Sequence, residues 1–431
     1  MYCQLEVLRH CFPSSVGRIL EELPESLDET YERILREIRK PNQGHAHRLL
    51  QCLVAATRPL QVKELAEILA FDFNAEGIPN LNLGWRWEDQ EEAVMSSCSS
   101  LVLIVKDGDS RIVQFSHFSV KEFLMANRLA EPIRDVSRYH IQLEAAHTIL
   151  VRACFGVLLQ LDDHIDRDSV TSFPLARYAA QHWATHAQVG NVSSRIKDVI
   201  EFLFDSDKPH FATWLWIYNE DREYSFVSTA RPEIPEAVPL YYAAMLGLRG
   251  LAERLIAKHP EHVNAEGGRE MTPMHVAASR GHSNILSLLF NHDADVNGRG
   301  KYGDSPLLRA TWNARLEAGQ YLLDCGADIE TRNDSWNTPL IYATAWGLVE
   351  FTRMLLDSGA LIDARGNYGK TPLHWAAENG HIKVVQLLLE RSVDVNVRDE
   401  DCDTPSRLAS RQGHQEIVEL LSAYSAQSVE E

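Results

Sequence analysis

The chain has 431 residues, 45% apolar and 24% charged, which suits two to four globular domains. Its 42 Lys and Arg stand against 61 Asp and Glu, and the net charge of −19 opposes contact with phosphate backbones. No apolar run reaches the ~18 residues of a membrane span; Met1 to Phe12 lacks the charged-then-apolar order of a signal peptide, and the seven cysteines form no Cys-x-x-Cys, so neither export, a disulfide framework nor a cysteine zinc site is expected.

Ser26-Leu27-Asp28-Glu29 reads as a capping box. Leu27, Tyr31, Ile34, Leu35 and Ile38 then share one helical face, with acids in the first turn and Arg36, Arg39 and Lys40 toward the end before Pro41. A helix over His47–Ala56 and a second marked by Leu65, Ile68 and Leu69 follow, then a polar loop through Trp85 and Trp87. Leu101–Val105 and Arg111–Phe115 are β-rich runs around Asp107-Gly108, a hairpin signal. Helical spacing resumes over His117–Leu129. Helix, helix and hairpin is the order of a winged helix. Its charge argues against DNA: from Gln51 to Ala130 there are 7 basic and 11 acidic residues, a balance of −4. Residues 137–217 read as all-helical, and a polar connector with Pro232 and Pro235 leads onward.

From there Pro239, Pro273, Pro306, Pro339, Pro372 and Pro405 recur at intervals of 34, 33, 33, 33 and 33. The clearest copies are Thr371-Pro372-Leu373-His374-Trp375-Ala376-Ala377 and Thr272-Pro273-Met274-His275-Val276-Ala277-Ala278. A 33-residue period with T-P-L-H-x-A resembles the ankyrin repeat, in which paired short helices stack into a contact surface. Thr272, Thr338, Thr371 and Thr404, each before its proline, can cap the first helix, and Gly247, Gly281, Gly347, Gly380 and Gly413 suit a left-handed turn. Ala314 stands at that position in the third unit, and Leu308 and Ile341 replace the motif's histidine. Ser406 and Arg407 make the sixth unit a polar cap.

In ankyrin arrays specificity lies on the hairpin finger and at the end of the first helix. Carried over, the partner-binding candidates are Lys301, Tyr302, Asp304, Trp312 and Asn313 in the third unit; Asp334, Ser335, Asn337, Ala345 and Trp346 in the fourth; and Asn367, Tyr368, Lys370, Glu378 and Asn379 in the fifth. Tyr302, Trp312, Trp346 and Tyr368 would form one aromatic patch flanked by Lys301 and Lys370, the alternative being that the tryptophans fold into inter-repeat grooves as packing.

Several segments imitate catalytic motifs. Residues 364–371 approach a phosphate-binding loop, but no apolar strand precedes them and Pro372 keeps the 33-residue phase, which favours a repeat finger. His182 and His186 lie one helical turn apart without further zinc ligands, which reads as a half-exposed helix face. Ser116-His117-Phe118-Ser119 lacks an orienting acid, and Gly281-His282-Ser283-Asn284-Ile285 misses the nucleophile-elbow pattern at its last residue. No catalytic, cofactor-binding or metal-ligating residue is expected.

Leu23-Pro24-Glu25-Ser26-Leu27-Asp28-Glu29-Thr30-Tyr31, Arg58-Pro59-Leu60 and Phe115-Ser116-His117-Phe118-Ser119-Val120-Lys121-Glu122-Phe123-Leu124 resemble fungal NACHT–ankyrin proteins, with the winged helix of GPI inositol-deacylase-like proteins. The resemblance implies a cytoplasmic, NOD-like receptor architecture with a NACHT domain upstream in a full-length form, repeats as sensor and nucleotide-gated assembly. A stand-alone ankyrin adaptor without a switch is the alternative. The expected organisation is mostly α: a post-NACHT helical segment (1–45), a winged helix (46–130), a helical linker domain (131–235) and a six-repeat solenoid (236–431), its units near 236–269, 270–302, 303–335, 336–368, 369–401 and 402–431.

Overall fold

A computed structural model describes residues 27–74, 77–131, 135–161, 165–220 and 237–427. The proposed cap at Ser26 and the connector prolines lie outside them. The chain forms two compact units, residues 1–234 and 235–431.

In the first unit α1 (Leu27–Glu37) buries Tyr31, Ile34 and Leu35. Leu27, expected on that face, is 43% exposed. The helix stops at Glu37, and Pro41 sits in the 3-10 turn Lys40–Asn42 that leads into α2 (Gln43–Ala55). Strand β1 (Leu60–Gln61) precedes α3 (Val62–Ile68). The start of α3 is tied by Glu64, which accepts from the Gln61 N–H at 2.7 Å and receives a forked pair of bonds from Arg58. A short antiparallel pair, β2 (Phe71–Asp72) and β3 (Asn80–Leu81), follows.

The polar loop expected around Trp85 and Trp87 is followed by a helix that sequence reading missed, α4 (Gln90–Cys98). Its buried face consists of the small residues Ala93, Val94, Ser97 and Cys98, which give little apolar periodicity. Asp89 caps it, accepting from the Glu91 and Glu92 N–H groups at 3.0 Å each. The hairpin β4 (Val102–Asp107) and β5 (Ser110–Phe115) pairs Asp107 with Ser110 across Gly108, whose φ is 57°. Strand β1 joins the far edge of β5, completing the order β1-β5-β4. α5 (Phe118–Met125) closes the winged helix.

The remaining helices of this unit are α6 (Leu143–Leu158), α7 (Arg167–Thr171), α8 (Ala176–Ala187), α9 (Val192–Arg195), α10 (Lys197–Leu203) and α11 (Pro209–Glu220). Trp183 and Trp214 are at most 1% exposed and pack with Phe155, Phe204 and Phe211 at centroid separations of 5.0–6.1 Å. The Trp214 indole donates to the Ala180 carbonyl at 3.0 Å, so its polar edge is satisfied. Across residue 130, buried Glu67 accepts from the Leu175 N–H at 2.7 Å and from Arg86. The half-exposed face expected at His182 and His186 is corrected: His186 is fully buried. It bonds His147 at 2.8 Å and the Tyr178 hydroxyl at 2.8 Å. Burial, with His147 and His182 adding to it, pushes the His186 pKa down to about 3, so the ring is neutral.

The second unit is six helix pairs: α12 (Pro239–Met245) and α13 (Arg249–Lys258), α14 (Pro273–Arg280) and α15 (Ser283–Phe290), α16 (Pro306–Trp312) and α17 (Leu316–Asp324), α18 (Pro339–Ala345) and α19 (Val349–Asp357), α20 (Pro372–Glu378) and α21 (Ile382–Glu390), α22 (Pro405–Arg411) and α23 (Gln415–Gln427). Every first helix begins at an anchor proline, as the period predicts. Leucines and alanines from neighbouring pairs form the core, such as Leu373, Ala376, Leu388, Ala409 and Leu421. No single pair could bury this surface alone.

Candidate protein-interaction surface

The surface is set by how each unit holds the next. Thr272 caps α14, its side chain bonding His275 Nδ1 at 2.9 Å. The same imidazole accepts from the Thr272 N–H at 3.2 Å, so Nε2 carries the proton and donates to the Asp304 carbonyl of the following finger at 3.0 Å. Thr371 and His374 repeat this, reaching the Asp403 carbonyl at 3.1 Å. Burial lowers the pKa of both histidines, which keeps them neutral. A second set reaches backward: His282 to the Met245 carbonyl at 3.3 Å, His381 to Ala345 at 2.9 Å and His414 to Glu378 at 3.1 Å. At Gly380, φ is 77°, and a Cβ there would lie 2.6 Å from the His414 ring. Glycine thus serves both the turn and the close approach.

The junction between the third and fourth units lacks both kinds of tie, having Leu308 and Leu348 in the two histidine positions. Aromatic contact takes their place. Trp312, ending α16, meets Tyr342 of α18 edge-to-face at 5.1 Å and Trp346, just past α18, at 5.5 Å. The Tyr342 hydroxyl accepts from Asn333 at 2.7 Å. Trp312 remains 49% and Trp346 55% exposed, so neither is folded into a groove. The two rings touch across adjacent units and are still half-exposed.

Tyr302 and Tyr368 stand on finger tips, 54% and 59% exposed, and among the described residues no ring contact joins them to the Trp312–Trp346 pair. Lys301 and Ser335 are exposed beside them on the fingers, as is Asp334, which lies 3.6 Å from the Arg299 guanidinium. The other candidates are occupied within the fold. Lys370 does not flank the patch as a free cation; its ammonium is 2.6 Å from Glu378 and lies 4.8 Å from the Trp375 ring centroid. Asp304 pairs with Arg309 at 3.4 Å. Asn313 donates to the Ser279 hydroxyl at 3.1 Å and the Arg309 carbonyl at 2.9 Å. Asn367 donates its backbone N–H to the Asn337 side chain at 3.2 Å. The phosphate-loop lookalike is a finger: Tyr368 is left-handed (φ 56°), and Lys370 is already paired.

Two features escaped sequence reading. Trp336, 66% exposed, sits between the chosen positions Ser335 and Asn337 with φ 62°, in phase with Gly303 and Gly369. A tryptophan in that conformation costs about 1–2 kcal/mol relative to glycine. Arg299, Arg332 and Arg365, 33 residues apart, each donate to the carbonyl of the arginine one period on (Arg332, Arg365 and Arg398) at 3.0, 2.6 and 2.9 Å. That ladder was visible as a fixed-interval arginine.

Comparison with known proteins fits this geometry. Residues 240–333, 332–399 and 363–430 match the family described as ankyrin repeats, and residues 31–133 match the GPI inositol-deacylase winged helix domain. The chain carries ankyrin repeats and this winged helix. It is 33% identical over 295 residues to the azaphilone pigments biosynthesis cluster protein L of Monascus ruber, covering 64% of this chain and 61% of that protein. A 78-residue stretch is 36% identical to mouse BCL-6 corepressor-like protein 1, covering 18% of this chain and 4% of that protein. Another of 65 residues is 40% identical to the Drosophila melanogaster ankyrin repeat and KH domain-containing protein mask, covering 15% of this chain and 2% of that protein. The chain thus spans less than two thirds of each relative. The repeats make the C-terminal unit a protein-interaction module, and among the described residues no helix is long and apolar enough to cross a membrane.

Proposed function

We propose that the chain is a non-enzymatic interaction protein whose third to fifth repeats grip a protein partner through an aromatic, charge-compensated face. The observation that carries this reading is the pair of half-exposed tryptophans, Trp312 and Trp346, held edge-to-face across adjacent units. Large amphipathic rings with little conformational freedom to lose are favoured binding anchors. Charges of the third and fifth repeats pair with each other: Asp304 with Arg309 and Lys370 with Glu378. The partner segment this face suits is therefore apolar and weakly charged, and its affinity should be nearly insensitive to salt. The winged helix and the helices after it couple that contact to a neighbouring domain, in a cytoplasmic signalling protein of the NACHT–ankyrin kind. The winged helix type, together with the repeats that follow it, supports that placement.

Quantitative capture from source-cell extract with the full chain as bait tests the reading. Trp312→Ala with Trp346→Ala should reduce a specifically retained protein by at least ~30-fold, the loss expected for ~2 kcal/mol or more of hot-spot contact. Equal retention by both baits, or retention that collapses between about 0.05 and 0.5 M salt, contradicts it.

A further inference from the structure

The first repeat carries a cluster that the repeat architecture does not require. Helix α13 ends at Lys258, and the 3-10 turn Pro260–Asn264 follows, anchored by Val263, which is 3% exposed. His259, the residue that caps the turn, and His262 within it stack, with centroids 4.9 Å apart and planes at 21°. Glu261 lies between them in sequence, and one of its carboxylate oxygens is 3.1 Å from His259 Nδ1 and 3.9 Å from His262 Nε2. One donor atom from each of the three residues falls within 4.8 Å of the others.

In the later units the position of Glu261 is held by Ala294, Ala327, Ala360 and Val393, all buried. That of His262 is held by Asp295, Asp328, Leu361 and Asp394. Packing explains a small apolar residue there. It does not explain a glutamate that is 63% exposed and turned toward two imidazoles. We infer that His259, Glu261 and His262 form a binding site for a zinc-class divalent metal ion. Two imidazole nitrogens and one carboxylate suit such an ion, with water completing the coordination. Metal–ligand bonds of about 2.0–2.1 Å put tetrahedral donors ~3.4 Å apart, so the present spacing closes with small side-chain rotations. The ion would fix the end of the first helix pair at the step into the second.

The test is titration of the full-length chain with Zn2+ alone by calorimetry, repeated with Co2+ while following its visible absorption. The wild-type chain should show a saturable site that His262→Ala weakens at least ~10-fold, Glu261→Gln weakens as well, and His292→Ala, which alters the equivalent isolated histidine, leaves unchanged. Unfolding midpoints of wild type and His262→Ala should agree without metal and separate when Zn2+ is added. Identical isotherms for wild type and His262→Ala, or midpoints that never separate, overturn the assignment.

Discussion

The helices after the winged helix and the middle repeats spend tryptophans in opposite ways. In the first, Trp183 and Trp214 are at most 1% exposed and lie inside an aromatic cluster. In the second, Trp312, Trp336 and Trp346 are 49–66% exposed. A globular core needs bulky residues to fill space between helices crossing in several directions. A stack of helix pairs closes its narrow gaps with leucine and alanine, so a large ring placed there is available for contact. Exposure of these rings thus separates space-filling in the first region from display at the surface in the second.

The largest effect expected is at the core end. Trp183→Ala should cost the first unit about 3–5 kcal/mol, read as a lower urea midpoint for that unit, because the cluster cannot collapse around the void. A change below about 1 kcal/mol would remove that contrast.

Acid should sharpen it next. His186 has its pKa at about 3 when folded, against an ordinary value near 6.5. The unfolded chain takes the proton first, so the associated stability is intact above pH ~6.5 and is lost as pH falls toward 3. By pH 5 the loss is about 2 kcal/mol from this group. Burial lowers His45, His47, His147 and His182 in the same unit, whereas His275, His282 and His374 are the second unit's lowered histidines among the described residues. Hydrogen exchange at pH 7.5 and 5 should show protection falling further in the first unit than in the second. Equal loss in both would break the expectation.

The smallest effect belongs to Ala314, which adopts φ 54° where Gly281, Gly347 and Gly380 stand in other units. Ala314→Gly relieves a left-handed backbone strain of about 1–2 kcal/mol but frees the unfolded chain by about 0.5–1 kcal/mol. A net gain of about 0.5 kcal/mol should raise the repeat unit's unfolding midpoint by a degree or two.

Six prolines in register made the solenoid legible, because each opens a helix where its fixed φ and missing N–H cost nothing. Trp312 and Trp346 were legible as candidates for the same reason: the period gave their phase. Helix α4 was not, since its buried face is Ala93, Val94, Ser97 and Cys98; the signal lay instead in the Asp89 cap followed by Glu91 and Glu92. Residues chosen on phase alone, such as Asn313 and Lys370, turned inward because a neighbouring carbonyl or carboxylate was within reach. Trp336 was not legible because it stands in phase with Gly303 and Gly369, where the period leads one to expect glycine. His186 was misread because a polar residue on a helix can be satisfied from a distant one, here His147, that no local pattern reveals.

The most direct test is partner capture by the Trp312→Ala, Trp346→Ala chain at matched folded fraction. Losing their mutual contact and that with Tyr342 should cost about 1–2 kcal/mol of stability, a midpoint shift of a few degrees, while capture falls at least ~30-fold. Undiminished capture, with the repeats unfolding instead, would mean that the two rings are packing and that the contact surface lies elsewhere.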